Sequence, residues 1–362
     1  MAMKQRNSGI CIVGTGWGLY LGAMIRRARP NSPLFVCGRN AAKTAQAARS
    51  LGAAGTFSRL EDALADGRVH GMVLALPHSL HRQAAEASLR AGKHVFVEKP
   101  IATSLNDADE MIAAARRYSR ALMVSDNLHC QPGIAEARAR VQSGELGRPL
   151  YFLANSFGLH HPSGWRTKAL HMGGGVVIDA GVRPVRAMRL IFGEADSVFA
   201  ARGPQVHASM EAEDSAQLLF FSQAGWQAHV LLSWTVRRGD LPEYIVICEK
   251  GSVHLWMNRA SMDFYPTEPL PFQRLMSKVR PHWLHEKLMS PRMEGTRVRL
   301  QGRDTTGHMG QMREFLGAVE SGSAETASAV EARRDLEIIF RAYDSMNSGR
   351  RLPLETPQPV GV

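Results

Sequence analysis

Lys99 is the residue whose type and position most directly indicate chemistry in this sequence. The apolar run HVFV (His94–Val97) stops abruptly at Glu98 and Lys99, and Pro100 prevents the run from simply continuing. Two opposite charges at the end of a buried strand either form a surface ion pair or belong to a site. A lysine amine that is partly removed from water can lose its proton and then act as a base.

A glycine-rich turn follows the first strand-like run, GICIV. Gly14 permits a tight turn, and Gly16 lets the backbone approach a pyrophosphate at the start of the next helix. The third glycine of the GxGxxG pattern is replaced by Leu19, so we expect Gly18 and Gly22 to provide close helix packing. This turn predicts a dinucleotide site, although glycine-rich turns alone are common.

Short apolar runs alternate with Ala-rich amphipathic stretches through the first third of the chain. The runs cover residues 9–13, 34–37, 71–76 and 94–97, and the helical stretches include 42–51 and 79–91. This alternation predicts an α/β fold with a doubly wound parallel sheet. Ligands of such sheets bind at the carboxyl ends of the strands, where Lys99 is expected.

The residues after the second strand indicate which dinucleotide would bind. An NAD-binding protein usually has a carboxylate there for the ribose hydroxyl, whereas this chain has Gly38, Arg39 and Asn40. Arg39 can pair with a 2′-phosphate, which favours NADP over NAD. The alternative is that Arg39 stacks on the adenine without selecting the phosphate.

Composition limits the other classes of function. The chain has 362 residues, 44% hydrophobic content and a net charge of +11, and it has no nucleic-acid-binding motif, signal peptide or membrane-length apolar run. Its four cysteines have no metal-ligand spacing, so we expect a reducing, cytoplasmic location and no metal. A basic segment at 274–299 is a flap over an anionic substrate, a subunit contact or a solvated insertion.

Motifs along nearly the whole chain resemble the Gfo/Idh/MocA oxidoreductase family, which includes glucose–fructose oxidoreductase and inositol 2-dehydrogenase. The matching motifs are VGTGWG (13–18), ALPHSLH (75–81), AGKHVFVEKPIA (91–102), SGELGRPLYF (143–152), WR (165–166) and GGGVVIDAG (173–181). AGKHV…EKP followed by GGG…DxG is far more specific than the glycine turn alone.

The resemblance implies two domains. Residues 1–127 would form a Rossmann NAD(P)-binding domain, and residues 128–362 an α+β domain with a large, mainly antiparallel sheet that mediates homodimers or homotetramers. Strand-like runs at 216–221, 227–234, 244–248 and 252–256 agree with such a sheet. We expect the helical stretches 309–321 and 329–347 to pack back near the first domain.

The resemblance also assigns catalytic roles. Lys99 would assist proton transfer at the reacting hydroxyl or carbonyl, together with Asp179. The family motif Asp-x-x-x-His is altered here, because Arg183 occupies the histidine position and an arginine cannot exchange a proton at neutral pH. As a catalytic residue, Arg183 would instead orient a carboxylate or phosphate or stabilise a developing alkoxide. Either Lys99 and Asp179 handle the proton, or another histidine does; His171 is the first candidate, followed by His160 and His161.

The remaining predicted site residues are those expected to bind the cofactor. They are Gly14, Thr15, Gly16, Trp17, Gly18, Arg39, Asn40, Leu76, Pro77, His78, His81, Glu98, Lys99, Asn127, Trp165 and Arg166. A second departure from the family is His129, which replaces the arginine of the pattern N-x-R-x-x-P.

The sequence therefore predicts an NADP(H)-dependent oxidoreductase, with NAD possible. Its substrate would be a sugar, cyclitol or related polar small molecule; Arg166, Lys168 and Arg183 suggest an anionic one, and we expect no nucleic-acid or membrane partner. Two alternatives remain open at this stage. One is a glycoside hydrolase that uses tightly held NAD without net oxidation, and the other is a nucleotide-binding protein that has lost its catalytic activity.

Overall fold

The apolar runs of the first third form a six-stranded parallel sheet, sheet A. The computed structural model describes residues 8–257, 259–267, 296–300 and 304–355. Sheet A contains β1 (Gly9–Val13), β2 (Leu34–Cys37), β3 (Gly55–Phe57), β4 (Val69–Leu74), β5 (His94–Val97) and β6 (Leu122–Val124). The order β3-β2-β1-β4-β5-β6 places a reversal between β1 and β4, at which such sheets bind ligands. The predicted doubly wound fold is confirmed.

Helices cover both faces of sheet A, which explains why its strands are apolar without alternation. They are α1 (Trp17–Ala28), α2 (Ala41–Leu51), α3 (Leu60–Ala65), α4 (His81–Arg90) and α5 (Leu105–Arg117). All residues of β1, β2 and β5 are buried. Side chains also fix where helices begin, since Ser104 accepts a hydrogen bond from the backbone of Asp107 at the start of α5.

The second sheet, sheet B, is large and mixed. Its strands are β7 (Pro149–Phe157), β8 (Ser197–Arg202), β9 (Ser215–Phe221), β10 (Gln227–Ser233), β11 (Tyr244–Cys248), β12 (Gly251–Leu255), β13 (Ser261–Pro266), β14 (Thr296–Arg299) and β15 (Leu352–Pro353). The order is β14-β13-β12-β11-β7-β10-β9-β8-β15; β7 and β10 run parallel, and the other paired strands run antiparallel. Burial alternates along β9 and β10, as expected when helices cover one face.

The remaining helices connect the two sheets. They are α6 (Pro132–Gln142), α7 (Ala169–Met172), α8 (Val176–Ala180), α9 (Val182–Phe192), α10 (His308–Ser321) and α11 (Ala327–Ser348). Helix α10 packs on sheet A: the rings of Phe315 and Phe96 are 5.6 Å apart, and Gln311 donates to the Val124 carbonyl at 2.6 Å. Helix α10 thus returns to the first domain and completes one face of its core.

Two sequence predictions concern membrane-spanning helices and the basic segment 274–299. None of the helices in the described part of the chain combines the length and apolar composition that crossing a bilayer requires. Most of the basic 274–299 segment lies outside the described residues. Within β14, Arg297 pairs with Asp263 at 3.0 Å, so its charge is already partnered.

His94, the first residue of β5, is held as a neutral imidazole. Its Nδ1 accepts a hydrogen bond from the Ala121 backbone N–H at 3.1 Å, which requires that nitrogen to be unprotonated. Burial lowers the pKa of His94 to about 4, and the charges of Arg120 and His70 act in the same direction. Since an unfolded histidine has a pKa of about 6.5, the folded state binds fewer protons between these two values.

We therefore expect the free energy of unfolding to be greatest above about pH 6.5 and to fall as the pH approaches about 4, with His94 contributing about 1–3 kcal/mol of the loss. His94→Asn retains a hydrogen-bond acceptor but cannot titrate, so its stability should fall less over this range. Urea unfolding at several pH values measures this difference. The matched control is His161→Asn, at an exposed histidine in the loop after β7; equal pH dependence of His94→Asn and the parent protein would contradict the assignment.

Candidate active site

A cavity of about 760 Å³ lies between the carboxyl edge of sheet A and the second domain. The loops that follow β1, β4, β5 and β6 form one side. The α8–α9 region and the loops that follow β7 and β10 form the other side. The cavity therefore lies at the strand-order reversal, the location predicted for Lys99.

Lys99 and Asp179 join the two domains across this cavity. The Lys99 amine donates to the Asp179 carboxylate at 2.7 Å and to the Asp179 backbone carbonyl at 2.7 Å. Burial of Asp179 opposes its ionisation, but Lys99 and His78 outweigh burial and hold the pKa of this carboxyl below its usual value. Asp179 is consequently ionised, and Lys99 faces the cavity with a carboxylate partner.

His78 also faces Asp179, although the sequence predicted only a cofactor-binding role for it. Its Nε2 lies 3.4 Å from the same carboxylate oxygen that contacts Lys99. The other ring nitrogen, Nδ1, lies 3.0 Å from the Met172 carbonyl, and the edge of the ring packs against Trp165. Lys99, Asp179 and His78 therefore form one contiguous polar cluster.

His81 lies behind this cluster and does not line the cavity. It is fully buried, with its ring nitrogens 2.9 Å from the Pro100 carbonyl and 3.0 Å from the Leu76 carbonyl. Burial lowers the pKa of His81 to about 4. His81 thus holds together the loops that follow β4 and β5, and its contact with the cofactor stays a prediction.

Glu98 is buried and connects Lys99 to the glycine-rich turn. Its carboxylate accepts hydrogen bonds from the Trp17 indole at 2.8 Å and from the Lys99 backbone N–H at 3.2 Å. Burial raises the pKa of Glu98, while the charge of Lys99 opposes this effect. Glu98 therefore fixes the positions of Trp17 and Lys99, and all three residues line the cavity.

The glycine-rich turn has the space that a dinucleotide requires. Gly14 has a φ of +109°, and a Cβ there would lie 2.2 Å from the Ala75 carbonyl oxygen, so this position requires glycine. A Cβ at Gly16 would meet no atom within 4 Å, which leaves the start of α1 open to a phosphate. Gly18 and Gly22 pack closely on Ile12 and Leu51, as expected for the missing third glycine.

A second cavity, of about 920 Å³, adjoins the first at Leu76, which lines both. Arg39 is exposed on its wall, and within the described residues no carboxylate lies within 4.0 Å of the Arg39 guanidinium. The Asn40 side chain instead caps α2 by accepting from the Lys43 backbone at 3.0 Å. The side chain of Arg39, unlike that of Asn40, is therefore available to bind a cofactor.

Two arginines contribute unbalanced positive charge to the first cavity. Arg166 lies over the Trp165 ring at 5.3 Å, and Arg183 is half-buried on α9. Neither guanidinium has a carboxylate within 4.0 Å in the described ranges. Lys168, by contrast, pairs with Glu211 at 2.7 Å and lies outside the cavity lining, which removes it from the predicted positive pocket.

The histidines proposed as substitutes for the family histidine are dispersed. His171 is exposed, lies 3.1 Å from the Ser79 hydroxyl and is outside the cavity lining, so its catalytic role stays a prediction. His161 is also exposed and outside the lining. His160 lines the cavity, and partial burial together with Arg166 lowers its pKa. His129 lies elsewhere, paired with Glu314 of α10 at 2.8 Å.

Comparisons with protein families agree with this geometry. The model described as "Oxidoreductase family, NAD-binding Rossmann fold" (GFO_IDH_MocA) matches residues 8–126, and the model of the GFO/IDH/MocA C-terminal domain matches residues 134–254. Together they cover about two thirds of the chain. This chain belongs to the Gfo/Idh/MocA oxidoreductase family.

Two of the curated proteins that this chain resembles carry the names of enzymes that act on sugars. The chain is 30% identical to 1,5-anhydro-D-fructose reductase from Ensifer adhaerens over 46% of its length and 51% of that protein's. It is 25% identical to D-xylose 1-dehydrogenase [NADP(+)] from Haloarcula marismortui over 60% of its length and 61% of that protein's. The chain thus spans about half to three fifths of the length of these relatives.

Solved structures with the family fold match almost the entire chain. Levoglucosan dehydrogenase in complex with NADH and levoglucosan superposes with a TM-score of 0.80, at 18% identity, over 97% of this chain and 100% of that one. Aldose-aldose oxidoreductase from Caulobacter crescentus, complexed with glycerol, superposes with a TM-score of 0.80, at 21% identity, over 96% and 100%. At these identities the similarity establishes the fold.

Several cavity residues of this Gfo/Idh/MocA member could not be found from sequence spacing. Ser125, Ser156, Trp234 and His308 line the cavity beside the predicted Asn127, although they come from four different segments. His308 begins α10, and burial together with Arg183 lowers its pKa to about 4. No motif marks these residues, because only the return of the chain to sheet A brings His308 near Lys99.

Proposed function

We propose that this chain is an NADP(H)-dependent oxidoreductase that acts on a hydroxyl or carbonyl group of a sugar or related polar molecule. The observation that carries the proposal is the Lys99–Asp179 pair, which faces a cavity bordered by a phosphate-compatible glycine turn. The sugar-acting relatives and the NAD-binding family model support the same class of reaction.

The site residues have separate roles in cofactor binding, proton exchange and support of the Lys99 loop. The start of α1 at Gly16 would hold the pyrophosphate, and the dinucleotide, when bound, would accept or return a hydride. Lys99 would hydrogen-bond the reacting oxygen and exchange its proton, while Asp179 keeps the amine in position. Glu98 and His81 would keep the Lys99 loop in its place.

Replacing Lys99 tests the proposal. Lys99→Arg retains the positive charge beside Asp179 but cannot supply a neutral amine, so we expect kcat to fall about 10²–10⁴-fold. Lys99→Met should lower it at least as much. Dinucleotide affinity, measured by fluorescence titration, should stay within about threefold of the parent value for Lys99→Arg, because proton transfer plays no part in binding.

The substrate panel for this test includes D-xylose, levoglucosan and 1,5-anhydro-D-fructose, together with acidic sugars. Circular dichroism and thermal unfolding verify that each variant is folded. Turnover by folded Lys99→Arg within about tenfold of the parent rate would contradict the role of Lys99. Parallel loss of affinity and turnover would instead assign Lys99 to binding.

NADP preference rests on the available guanidinium of Arg39. Glu61, on the same cavity wall, pairs with Arg59 at 3.4 Å, so Arg39 can meet a 2′-phosphate. The nearby Glu86 pairs with Arg82 at 3.7 Å. A charge-assisted hydrogen bond to phosphate would then distinguish NADP from NAD.

Arg39→Ser should raise the KM for NADP about 10–100-fold while leaving the KM for NAD within about threefold. Steady-state kinetics with both dinucleotides measures the two values. Arg27→Ser, at an exposed residue in the last turn of α1, is the matched control and should change neither. An equal rise for both dinucleotides would indicate that Arg39 stacks on adenine without selecting the phosphate.

We further propose that the substrate carries an anionic group, such as a carboxylate or phosphate. Arg166 and Arg183 line the cavity without a carboxylate within 4.0 Å in the described residues, whereas Glu98 and Asp179 are already engaged. An anionic group of the substrate would therefore form ion pairs with these guanidinium groups.

We expect kcat/KM for a uronic acid or sugar phosphate to exceed that for the matching neutral sugar. Arg166→Gln should reduce that advantage about 10-fold or more, since it removes a charged hydrogen-bond donor at an exposed position. Kinetics on paired acidic and neutral sugars provides the measurement. Equal preference of the parent protein for both members of each pair would count decisively against the proposal.

Association between copies through sheet B is also proposed. Tyr151 and Leu231 are 44% and 41% exposed on the face of the sheet opposite the buried Phe152 and Val230. Large side chains exposed on a broad sheet are typical of protein contact surfaces. A homodimer or homotetramer that covers this face would bury them.

A further inference from the structure

The His78 imidazole occupies an unusual place between two oxygen atoms that accept hydrogen bonds. Its Nδ1 faces the Met172 carbonyl at 3.0 Å, and its Nε2 faces the Asp179 carboxylate at 3.4 Å. The side chain is 5% exposed, so water does not replace either partner freely. The chemistry of both neighbours therefore constrains which ring atoms carry protons.

If Nδ1 donates to Met172 and Nε2 donates to Asp179, the ring carries one proton more than a neutral histidine. A carbonyl oxygen only accepts hydrogen bonds, so Nδ1 carries a proton that it donates to Met172. An ionised carboxylate also only accepts, so the contact between Nε2 and Asp179 is attractive only when a second proton lies between them.

The position of His78 matters because the family histidine is missing. Arg183 stands at that position, and a guanidinium cannot release or accept a proton at neutral pH. Among the described histidines, His78 alone lies within 4.0 Å of Asp179. Asp179 is in turn 2.7 Å from Lys99, so a short path connects the imidazole with the amine that faces the cavity.

We propose that His78 is the positioning residue that replaces the missing family histidine and stores the proton exchanged by Lys99. The inference rests on the proposed oxidoreductase function. In the direction of reduction, Lys99 gives one proton to the carbonyl oxygen of the substrate while the carbonyl carbon receives a hydride. The Nε2 proton of His78 then passes through the Asp179 carboxylate to Lys99. The net result is the transfer of one proton from His78 to the product hydroxyl. Oxidation follows the same steps in reverse.

Other groups around His78 do not provide an alternative path. His81 lies 5.6 Å away, with its pKa lowered to about 4 by burial, and it is therefore neutral. Trp165 covers one side of the imidazole with its uncharged ring, and Arg166 lies on the Trp165 ring. Lys99 acts on His78 through their shared partner, Asp179. Asp179 is thus the group that decides whether His78 keeps its second proton.

The first experiment needs neither substrate nor dinucleotide. Nitrogen-15 shifts of the ring atoms report which nitrogens of each of the 14 histidines carry protons, and His78→Asn identifies the His78 signals by their loss. At neutral pH we expect both His78 nitrogens to carry protons. In Asp179→Asn, the Nε2 proton should be lost while Nδ1 keeps its proton, because Met172 still accepts it. Identical His78 shifts in Asp179→Asn and the parent protein would overturn the inference.

The second experiment measures kinetics. His78→Asn should lower kcat about 10–100-fold and remove one ionisation from the pH profile of kcat, while dinucleotide affinity stays within about threefold of the parent value. His70→Asn, at an exposed histidine on β4, should change none of these. An unchanged pH profile in folded His78→Asn would overturn the inference.

The two experiments separate the inference from the function on which it rests. If the parent protein turns over no sugar, the proposed function fails, while the nitrogen-15 shifts still decide whether Asp179 controls the proton on His78. If the parent protein is active and the shifts do not respond to Asp179→Asn, only the role of His78 fails. Should His78→Asn not fold, the comparison of the parent protein with Asp179→Asn still provides the decisive measurement.

Discussion

The ion pair between Lys99 and Asp179 is the interaction on which the geometry of the site depends. Lys99 follows β5 of the first domain, and Asp179 lies on α8 of the second, so their 2.7 Å contact sets the separation of the two cavity walls. Both groups are largely buried, and removing either would leave an uncompensated charge. The pair therefore has a structural effect together with its proposed chemical one.

A second layer of contacts keeps this pair in position. His81 holds the loops after β4 and β5 through two backbone carbonyls, and Glu98 holds Trp17 at the start of α1. These residues belong to the first domain, so contacts within that domain position the Lys99 side of the cavity. Asp179 is placed separately, by the short helix α8 that packs on sheet B. Each wall is thus supported by its own domain.

The charges around the cavity indicate how this member differs from the family pattern. A histidine at position 183 would supply a titratable group, whereas Arg183 supplies a permanent positive charge. The permanent charge increases the attraction of the cavity for anions. His78, whose Nε2 lies 3.4 Å from the Asp179 oxygen that Lys99 also contacts, is the residue that we propose supplies the titratable group.

Local sequence determined a large part of this result. Uninterrupted apolar runs predicted the buried strands of sheet A, and Gly14 and Gly16 predicted the turn, because a positive φ and close backbone approach are properties of the residue itself. The position of Lys99 after β5 followed from the same pattern. The EKP and DxG motifs indicated the family and, with it, the meeting of Lys99 and Asp179.

Tertiary structure alone decided which distant side chains complete the site. The sequence favoured His171 as the catalytic histidine and gave His78 a cofactor-binding role, yet His78 faces Asp179 and His171 faces solvent near Ser79. His308 reaches the cavity because α10 returns to sheet A after the whole second domain. Such placements depend on packing between segments far apart in the chain, and no local spacing rule encodes them.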